Sequence, residues 1–489
     1  MPPSNSISQF VTHGNELWIG TGKGVAKSTN FGLSWTSFAG NSAFSDQGIF
    51  ALDLIGDTIW AATGYDKSMS GGGTVQTGSG YTVSTNDGIS WTHLPQTVDL
   101  RGDSIISYGI NDSLWLLPVV VPEQNVTFDI SLTPGTAWIA SWASGLRKST
   151  DNGTTWKRVI LPPDGRFSLR PSDTMWTYAA GDTLHHHRIF QKLDPRNNNN
   201  MLAFAVHAVD SNIIWCGTAG GVNKSTNGGK SWTRYTHQSQ QLGILGDWVI
   251  AVNVQDLGGI QRVWTTNWRA EDPSEEFGVS YTDDDGLTWT TLLRGVKAYD
   301  FAFKGATAYI ATDDGLFRTT DDGASFTSYA NFSNPQTRDI INGAKVFCVQ
   351  VLGDTVYAGT GDGLVSTVDN GTGVFGASWK IYRTYQPTGV SSATYAYPNP
   401  FSPNHGQVRI HYGSSVSAAQ RLVSIDIFDF GMNRVRSLIH DAPRDGSREY
   451  DELWDGRTDD GKLVANGAYI YRVKTDINEP FFGKILVLQ

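Results

Sequence analysis

Short runs of alternating apolar and polar residues dominate the chain, many with an aromatic at the centre. Glu16-Leu17-Trp18-Ile19-Gly20-Thr21, Thr58-Ile59-Trp60-Ala61-Ala62 and Val356-Tyr357-Ala358-Gly359-Thr360 are examples. A further run precedes them, as in Gly48-Ile49-Phe50-Ala51-Leu52-Asp53-Leu54. Runs of this length, rich in β-branched and aromatic residues and bounded by Gly, Asn and Asp, predict strands. After them comes a recurring phrase: a hydroxyl residue, a gap, Asp or Asn, a gap, Gly, two residues, then an aromatic. Its copies centre on Asn30 and Trp35, Asn86 and Trp91, Asp151 and Trp156, Asn227 and Trp232, and Asp284 and Trp289. A sixth pairs Asp321 with Phe326, and in a degenerate seventh (Thr367, Asp369, Gly371) the aromatic Trp379 arrives five residues late.

The phrase has the chemistry of a hairpin turn. A short side-chain oxygen accepts backbone N–H groups two residues on, Gly supplies a left-handed backbone angle, and the aromatic opens the next strand. A Trp there buries about 150–250 Å² of apolar surface, so these residues are structural rather than catalytic. Four strands per phrase, seven times, predicts a seven-bladed β-propeller over 1–386. The first and last repeats both look complete, so no blade is expected to be shared between the chain ends. The phrases resemble the Asp-box (BNR) repeat of sialidases, two-propeller xyloglucanases, sortilin-type receptors and photosystem assembly factors, over about residues 7–385. That resemblance implies the propeller fold. It implies no single activity, because those families do different things.

The pattern changes after Tyr385. Residues 387–395 read as a linker. Strands are then expected at 408–412, 423–428, 434–439, 469–474 and 483–488, with turn signals at Trp454-Asp455-Gly456, Asp460-Gly461 and Asn466-Gly467. This spacing suits an Ig-like β-sandwich over 396–489. The opening Tyr397-Pro398-Asn399-Pro400-Phe401, the Trp-Asp-Gly and the Gly467-Ala468-Tyr469 resemble the FlgD-type Ig-like domain and the C-terminal sorting domain of the type IX (Por) secretion system. That resemblance implies export across a Gram-negative-type outer membrane, to a secreted or cell-surface location. The ending Lys484-Ile485-Leu486-Val487-Leu488-Gln489 lacks the basic terminal residue of sorting domains, which leaves open a fixed structural module. The expected fold class is therefore all-β: a seven-bladed β-propeller followed by an Ig-like β-sandwich.

Composition agrees, with 54 Gly, 17 Trp, 18 Tyr and 22 Phe in 489 residues. A formal net charge of −10 with no Lys/Arg run disfavours a nucleic-acid or anionic-membrane partner. No apolar run is long enough to cross a bilayer. Cys216 and Cys348 lie inside apolar strands and read as buried small hydrophobes. Met1-Pro2-Pro3-Ser4 has no signal-peptide character, so an exported form would be processed or part of a longer precursor.

With strands lettered a to d from the axis outward, the a–b and c–d turns share one face and are short. The long insertions (64–80, 95–124, 161–200 and 267–277) are b–c or d–a connections and share the other. Loops on a rigid scaffold are where binding residues sit, so the elaborated face is the expected working surface. Glu271, Asp272, Glu275 and Glu276, beside Trp268 and Arg269, are the candidate carboxylates for glycoside hydrolysis. The plainer reading is a solvated acidic loop tip. Trp142 and Trp248 are candidate sugar-stacking platforms, with core packing the alternative, and Trp268 and Arg269 are further candidate ligand-binding residues. His185-His186-His187 places at most His185 and His187 on one side of a strand, with no third ligand, and reads as surface. No metal or other cofactor is expected. No Arg-Ile-Pro, HExxH or GxSxG occurs.

The leading expectation is a non-catalytic surface propeller that binds an extracellular protein or glycan. A glycoside hydrolase and a self-associating filament or surface-layer subunit are the alternatives.

Overall fold

The computed structural model describes every residue except 1, 46, 70–71, 174–191, 335, 338, 372–373, 384–393, 405, 414–419, 446–448 and 477–479. The chain divides into two compact units, Met1–Thr384 and Tyr385–Gln489. The described residues are strands, turns and two short 3₁₀ turns, Pro195–Asn197 and Asn199–Met201.

Seven antiparallel sheets form the ring of the first unit, each built on four consecutive strands: 7–37, 48–94, 127–158, 203–235, 252–292, 298–329 and 346–382. Ser168–Leu169 adds a fifth strand to the 203–235 sheet, and the connections carry a three-stranded sheet (Ile105–Tyr108, Asn111–Leu116, Lys192–Leu193) and a two-stranded one (Phe332–Ser333, Ile340–Ile341). We number the seven ring sheets blades 1 to 7. Their first strands are Ile7–His13, Gly48–Ile55, Thr127–Thr133, Ala203–Ala208, Val252–Asp256, Ala298–Lys304 and Val346–Leu352. Each first strand neighbours the next, and that of blade 7 neighbours that of blade 1. The ring is therefore a seven-bladed β-propeller whose first strands surround the axis. It closes without strand exchange, through contacts such as Cys348 Sγ against Ile7 O (3.7 Å). Both cysteines are buried free thiols, and burial raises the pKa of each.

The recurring phrase builds the same c–d turn in six blades. In blade 3, Gly153 N donates to Ser149 Oγ (2.9 Å) and Thr155 N to Asp151 Oδ1 (2.9 Å). Ser28/Asn30, Ser84/Asn86, Ser225/Asn227, Thr282/Asp284 and Thr319/Asp321 repeat the pattern. The Asp or Asn oxygen thus reaches four residues on rather than two, and the hydroxyl oxygen accepts from both positions. The reason is that two successive left-handed residues, such as Asn152 (φ 55°) and Gly153 (φ 80°), fold the backbone back over the Asp. In blade 7, Asp369 leaves this role and pairs with Arg318 of blade 6, while Thr367 Oγ1 donates to Ser378 O (2.9 Å).

The phrase aromatics join blades. Trp91 meets Trp18 of blade 1, Trp156 meets Trp60 of blade 2, and Trp289 meets Trp215 of blade 4, with ring centroids 6.3, 6.0 and 6.4 Å apart. Trp232 packs with Trp138, Trp379 with Tyr309, and Trp35 with Tyr357. Phe326 belongs to the cluster around Trp264. The phrase glycine lies under the neighbouring aromatic: a Cβ on Gly153 would stand 2.5 Å from Trp60, and one on Gly88 2.8 Å from Trp18.

The second unit is a β-sandwich of a three-stranded sheet (Thr394–Tyr397, Val408–Gly413, Glu449–Trp454) and a four-stranded sheet (Arg434–Asp445, Gln420–Phe428, Gly467–Thr475, Phe481–Val487). Val408, Ile410 and Trp454 of one share a core with Ile425, Tyr471 and Ile485 of the other. The expected linker is shorter than 387–395: Thr394 and Tyr395 already pair with Tyr412 and His411, and 387–393 lie outside the described residues. Asn399 and Phe401 cover the edge of the last strand. Asn399 Nδ2 donates to Lys484 O (2.6 Å), Leu486 N to Asn399 Oδ1 (2.8 Å) and Phe401 N to Leu486 O (2.9 Å).

Candidate functional site

The mouth of the axial channel lies where the first strands begin, on the face of the b–c turns. In six blades the first strand has a register irregularity at its second residue or, in blade 2, its third. The extra residues are Ser8, Phe50, Phe128, Phe204, Tyr299 and Phe347. A bulge turns its extra residue out of the alternation, here toward its counterparts in adjacent blades. Ring centroids run Phe50–Phe128 6.2 Å and Phe128–Phe204 5.6 Å. The line continues Phe204–Trp248 5.3 Å, Trp248–Trp268 6.1 Å, Trp268–Tyr299 5.5 Å and Tyr299–Phe347 5.7 Å. Blade 5 has no bulge and instead supplies Trp248 and Trp268, facing each other across a two-residue bridge. Seven rings from six blades thus form a collar, open only at Ser8, whose hydroxyl donates to Ile49 O (2.6 Å). Most of these rings are half-buried, and Phe347 is 37% exposed.

Farther along the same strands lie Asp53, Asp129 and Asp300. Each accepts a backbone N–H from the next described inner strand: Leu132 (2.7 Å), Val206 (2.8 Å) and, from blade 6 to blade 7, Val349 (3.0 Å). These bonds connect strands that share no sheet ladder. The carboxyls keep some surface, yet burial dominates and raises Asp53 and Asp300 to about 7 and Asp129 well above the ordinary value.

Of the four long connections on this face, 64–80 extends the paired strands Thr58–Ser68 and Thr74–Ser84, and the other three are each held by a buried or nearly buried polar group. Asp99 accepts Arg147 Nη2 (2.9 Å) and Val119 N (2.8 Å), fixing 95–124 to blade 3. Asn200 bonds Pro162 O, Thr218 and Asn223, fixing the two ends of the 161–200 connection to blade 4. Glu275, 4% exposed, accepts the N–H groups of Asp247 (2.9 Å), Ala270 (2.7 Å), Glu271 (3.3 Å) and Asp272 (3.0 Å). His237 Nδ1 lies 2.9 Å from Asp247 Oδ2 within 236–248, and that connection is clasped to 267–277 by Asp247 N donating to Glu275 and Gln238 Nε2 donating to Asp272 Oδ2 (2.7 Å). Ligand atoms of His237, Asp247 and Glu275 lie within 4.8 Å of one another, the spacing of a metal site. Glu275, however, already accepts two N–H groups on each oxygen, so the trio reads as a loop clasp.

The four candidate carboxylates therefore sit in different settings. Glu275 is structural. Asp272 bonds Ser274 and Gln238, and Ser274 holds its pKa below the ordinary value, the reverse of what a general acid needs. Glu271 accepts Asn199 Nδ2 (3.1 Å) and Glu276 pairs with Arg294 (2.9 Å). Among the aromatic candidates, Trp248 and Trp268 join the collar, while Trp142 is half-buried in the blade 3 b–c turn with no ring contact to either. Arg269 is exposed. The triplet His185–His187 lies outside the described residues. Sequence reading missed the collar, although its signal is a second repeat: Ile49-Phe50-Ala51, Thr127-Phe128-Asp129, Ala203-Phe204-Ala205, Ala298-Tyr299-Asp300 and Val346-Phe347-Cys348.

Among the described residues no helix is long and apolar enough to cross a membrane. No family model and no curated protein matches the chain. Solved structures similar to it include PorZ, a surface component of the type-IX secretion system of Porphyromonas gingivalis, at 14% identity and TM-score 0.40 over 98% of this chain. The match covers 64% of PorZ's own chain, so this protein spans less than two thirds of it. YCF48 bound to D1 peptide is similar at 12% identity and TM-score 0.44, covering 76% of this chain and 95% of that one. The WD40 β-propeller domain of Doa1 is similar at 12% identity and TM-score 0.41, covering 75% and 94%.

Proposed function

We propose that the protein is a non-catalytic, extracellular propeller that binds a protein or glycan partner through the face carrying the long connections. One observation carries this reading. The clasped connections and the aromatic collar share that face, while the other face consists of compact, internally hydrogen-bonded turns. A surface held in place by Asp99, Asn200 and Glu275 is organised before a partner arrives, which lowers the entropic cost of binding. The extracellular setting, the Asp-box membership of the repeats and the Ig-like, secretion-related character of 396–489 rest on the motif resemblances.

The test is binding to the source organism's surface fraction, with the intact protein beside a variant whose 267–277 connection is shortened. Saturable binding lost in the variant is expected, with no turnover on a panel of chromogenic glycosides. Turnover abolished by Glu271→Gln or Glu276→Gln would overturn the non-catalytic reading.

A further inference from the structure

We propose that the collar and the channel below it form a receptor for a cation, and that the occupant is a lysine or arginine side chain presented by a protein partner. This rests on the binding role proposed for the elaborated face and narrows it to one subsite and one chemistry.

Charge complementarity selects the occupant. The seven inner strands carry Asp53, Asp129, Asp256 and Asp300, and their one Lys or Arg is Lys304. Lys304 ends its strand at the opposite face and is committed to Asp354 and to the carbonyl of Asp369. Asp53, Asp129 and Asp300 have no ion-pair partner among the described residues; each is bonded only to neutral donors. Asp129 follows Phe128 directly, Asp300 follows Tyr299 directly, and Asp53 lies three residues past Phe50. The acids therefore begin one residue inside the collar. Aromatic faces present negative potential, and the acids behind them, which burial favours in the protonated form, add to it by releasing their protons to solvent when a cation enters, so the two features favour the same ligand charge. The protein already uses one rim ring in this way: Lys297 Nζ stands 5.0 Å from the Trp268 centroid and 4.8 Å from that of Phe277.

The experiment titrates the full chain with three capped pentapeptides, Gly-Gly-X-Gly-Gly with X as Lys, Arg or norleucine, following binding by calorimetry. Cello-, xylo- and chito-oligosaccharides form a parallel arm. Saturable changes with the Lys and Arg peptides are expected, with the norleucine peptide weaker by about tenfold or more. Asp129→Asn and, independently, Phe128→Leu should each weaken the Lys peptide several-fold while leaving the melting transition cooperative. If one variant does not fold, the other decides. Equal binding of the norleucine peptide, saturation by an oligosaccharide but not by Lys or Arg, or unchanged affinity in a folded variant overturns the proposal. Absent peptide binding combined with retained, loop-dependent binding of the surface fraction sinks the cation site alone. Loss of both removes the wider binding role as well.

Discussion

Gly153 and Trp156 define what one copy of the recurring turn contributes. The glycine has φ 80°, and its missing Cβ leaves room for Trp60 of the preceding blade. The tryptophan packs its ring 6.0 Å from that of Trp60 and 5.5 Å from that of Tyr81. Removing the ring opens a cavity between two blades, so Trp156→Ala should cost about 3–5 kcal/mol of stability. Thermal melting would register it, and binding at the elaborated face should not change. Lost binding with unchanged melting would assign Trp156 to the site instead. The glycine's two roles can be separated. Gly135 has φ 71° with nothing within 4 Å of a built Cβ, so Gly135→Ala measures backbone strain alone, about 1–2 kcal/mol. Gly153→Ala adds a clash with Trp60 and should be clearly more destabilising; equal losses would show that Trp60 moves aside freely.

At the scale of the connection, Glu275 shows how an acidic loop holds its shape. Its carboxylate takes four backbone N–H groups, and an amide at that position turns a donor toward two of them. Glu275→Gln should therefore destabilise locally by about 1–3 kcal/mol. Amide exchange at Ala270 and Asp272 should quicken, while exchange in the blade 5 strands stays slow. Unchanged exchange in 267–277 would mean that Glu275 is not the clasp. The same residue marks where sequence reading stops. Four acids within six positions look alike as letters, and only the fold puts one beneath four N–H groups while the others remain near solvent. The blades were legible because each turn repeats in local sequence and its bonds stay within eight residues. The split into a plain and an elaborated face followed from strand counting alone. The collar joins residues far apart in the chain, and its repeat unit is one aromatic among small or apolar neighbours, a signal too short to notice without the strand register. The polar pins Asp99, Asn200 and His237 have no local pattern at all.

For the molecule as a whole, the buried carboxyls on the inner strands predict how propeller stability depends on pH. Asp53 and Asp300 are raised to about 7 from an unfolded value of 3.8, and Asp129 is raised well above it. Between about pH 4 and 7 the folded state therefore holds protons that the unfolded chain has released. Their stabilising contribution is full below the unfolded pKa and is lost as pH rises through the folded one. His207, on the inner strand of blade 4, opposes this: burial lowers it to about 4, so the unfolded chain takes up its proton first as pH falls below 6.5. Three carboxyls outweigh one imidazole, and the net expectation is greater stability near pH 5 than near pH 7. Below about pH 4 the trend reverses, because Asp151 and Asp321 are held below the ordinary value by hydrogen bonds from their own turns, so the unfolded chain takes up these protons before the folded state does. Denaturant midpoints measured from pH 3 to 8 test the curve. Asp300→Asn, which removes one of the three proton-holding groups, should flatten the slope between pH 5 and 7. Wild-type stability that climbs steadily from pH 5 to 7 would show that the inner carboxyls are ionised in the folded propeller, with the channel solvated well enough to keep them so.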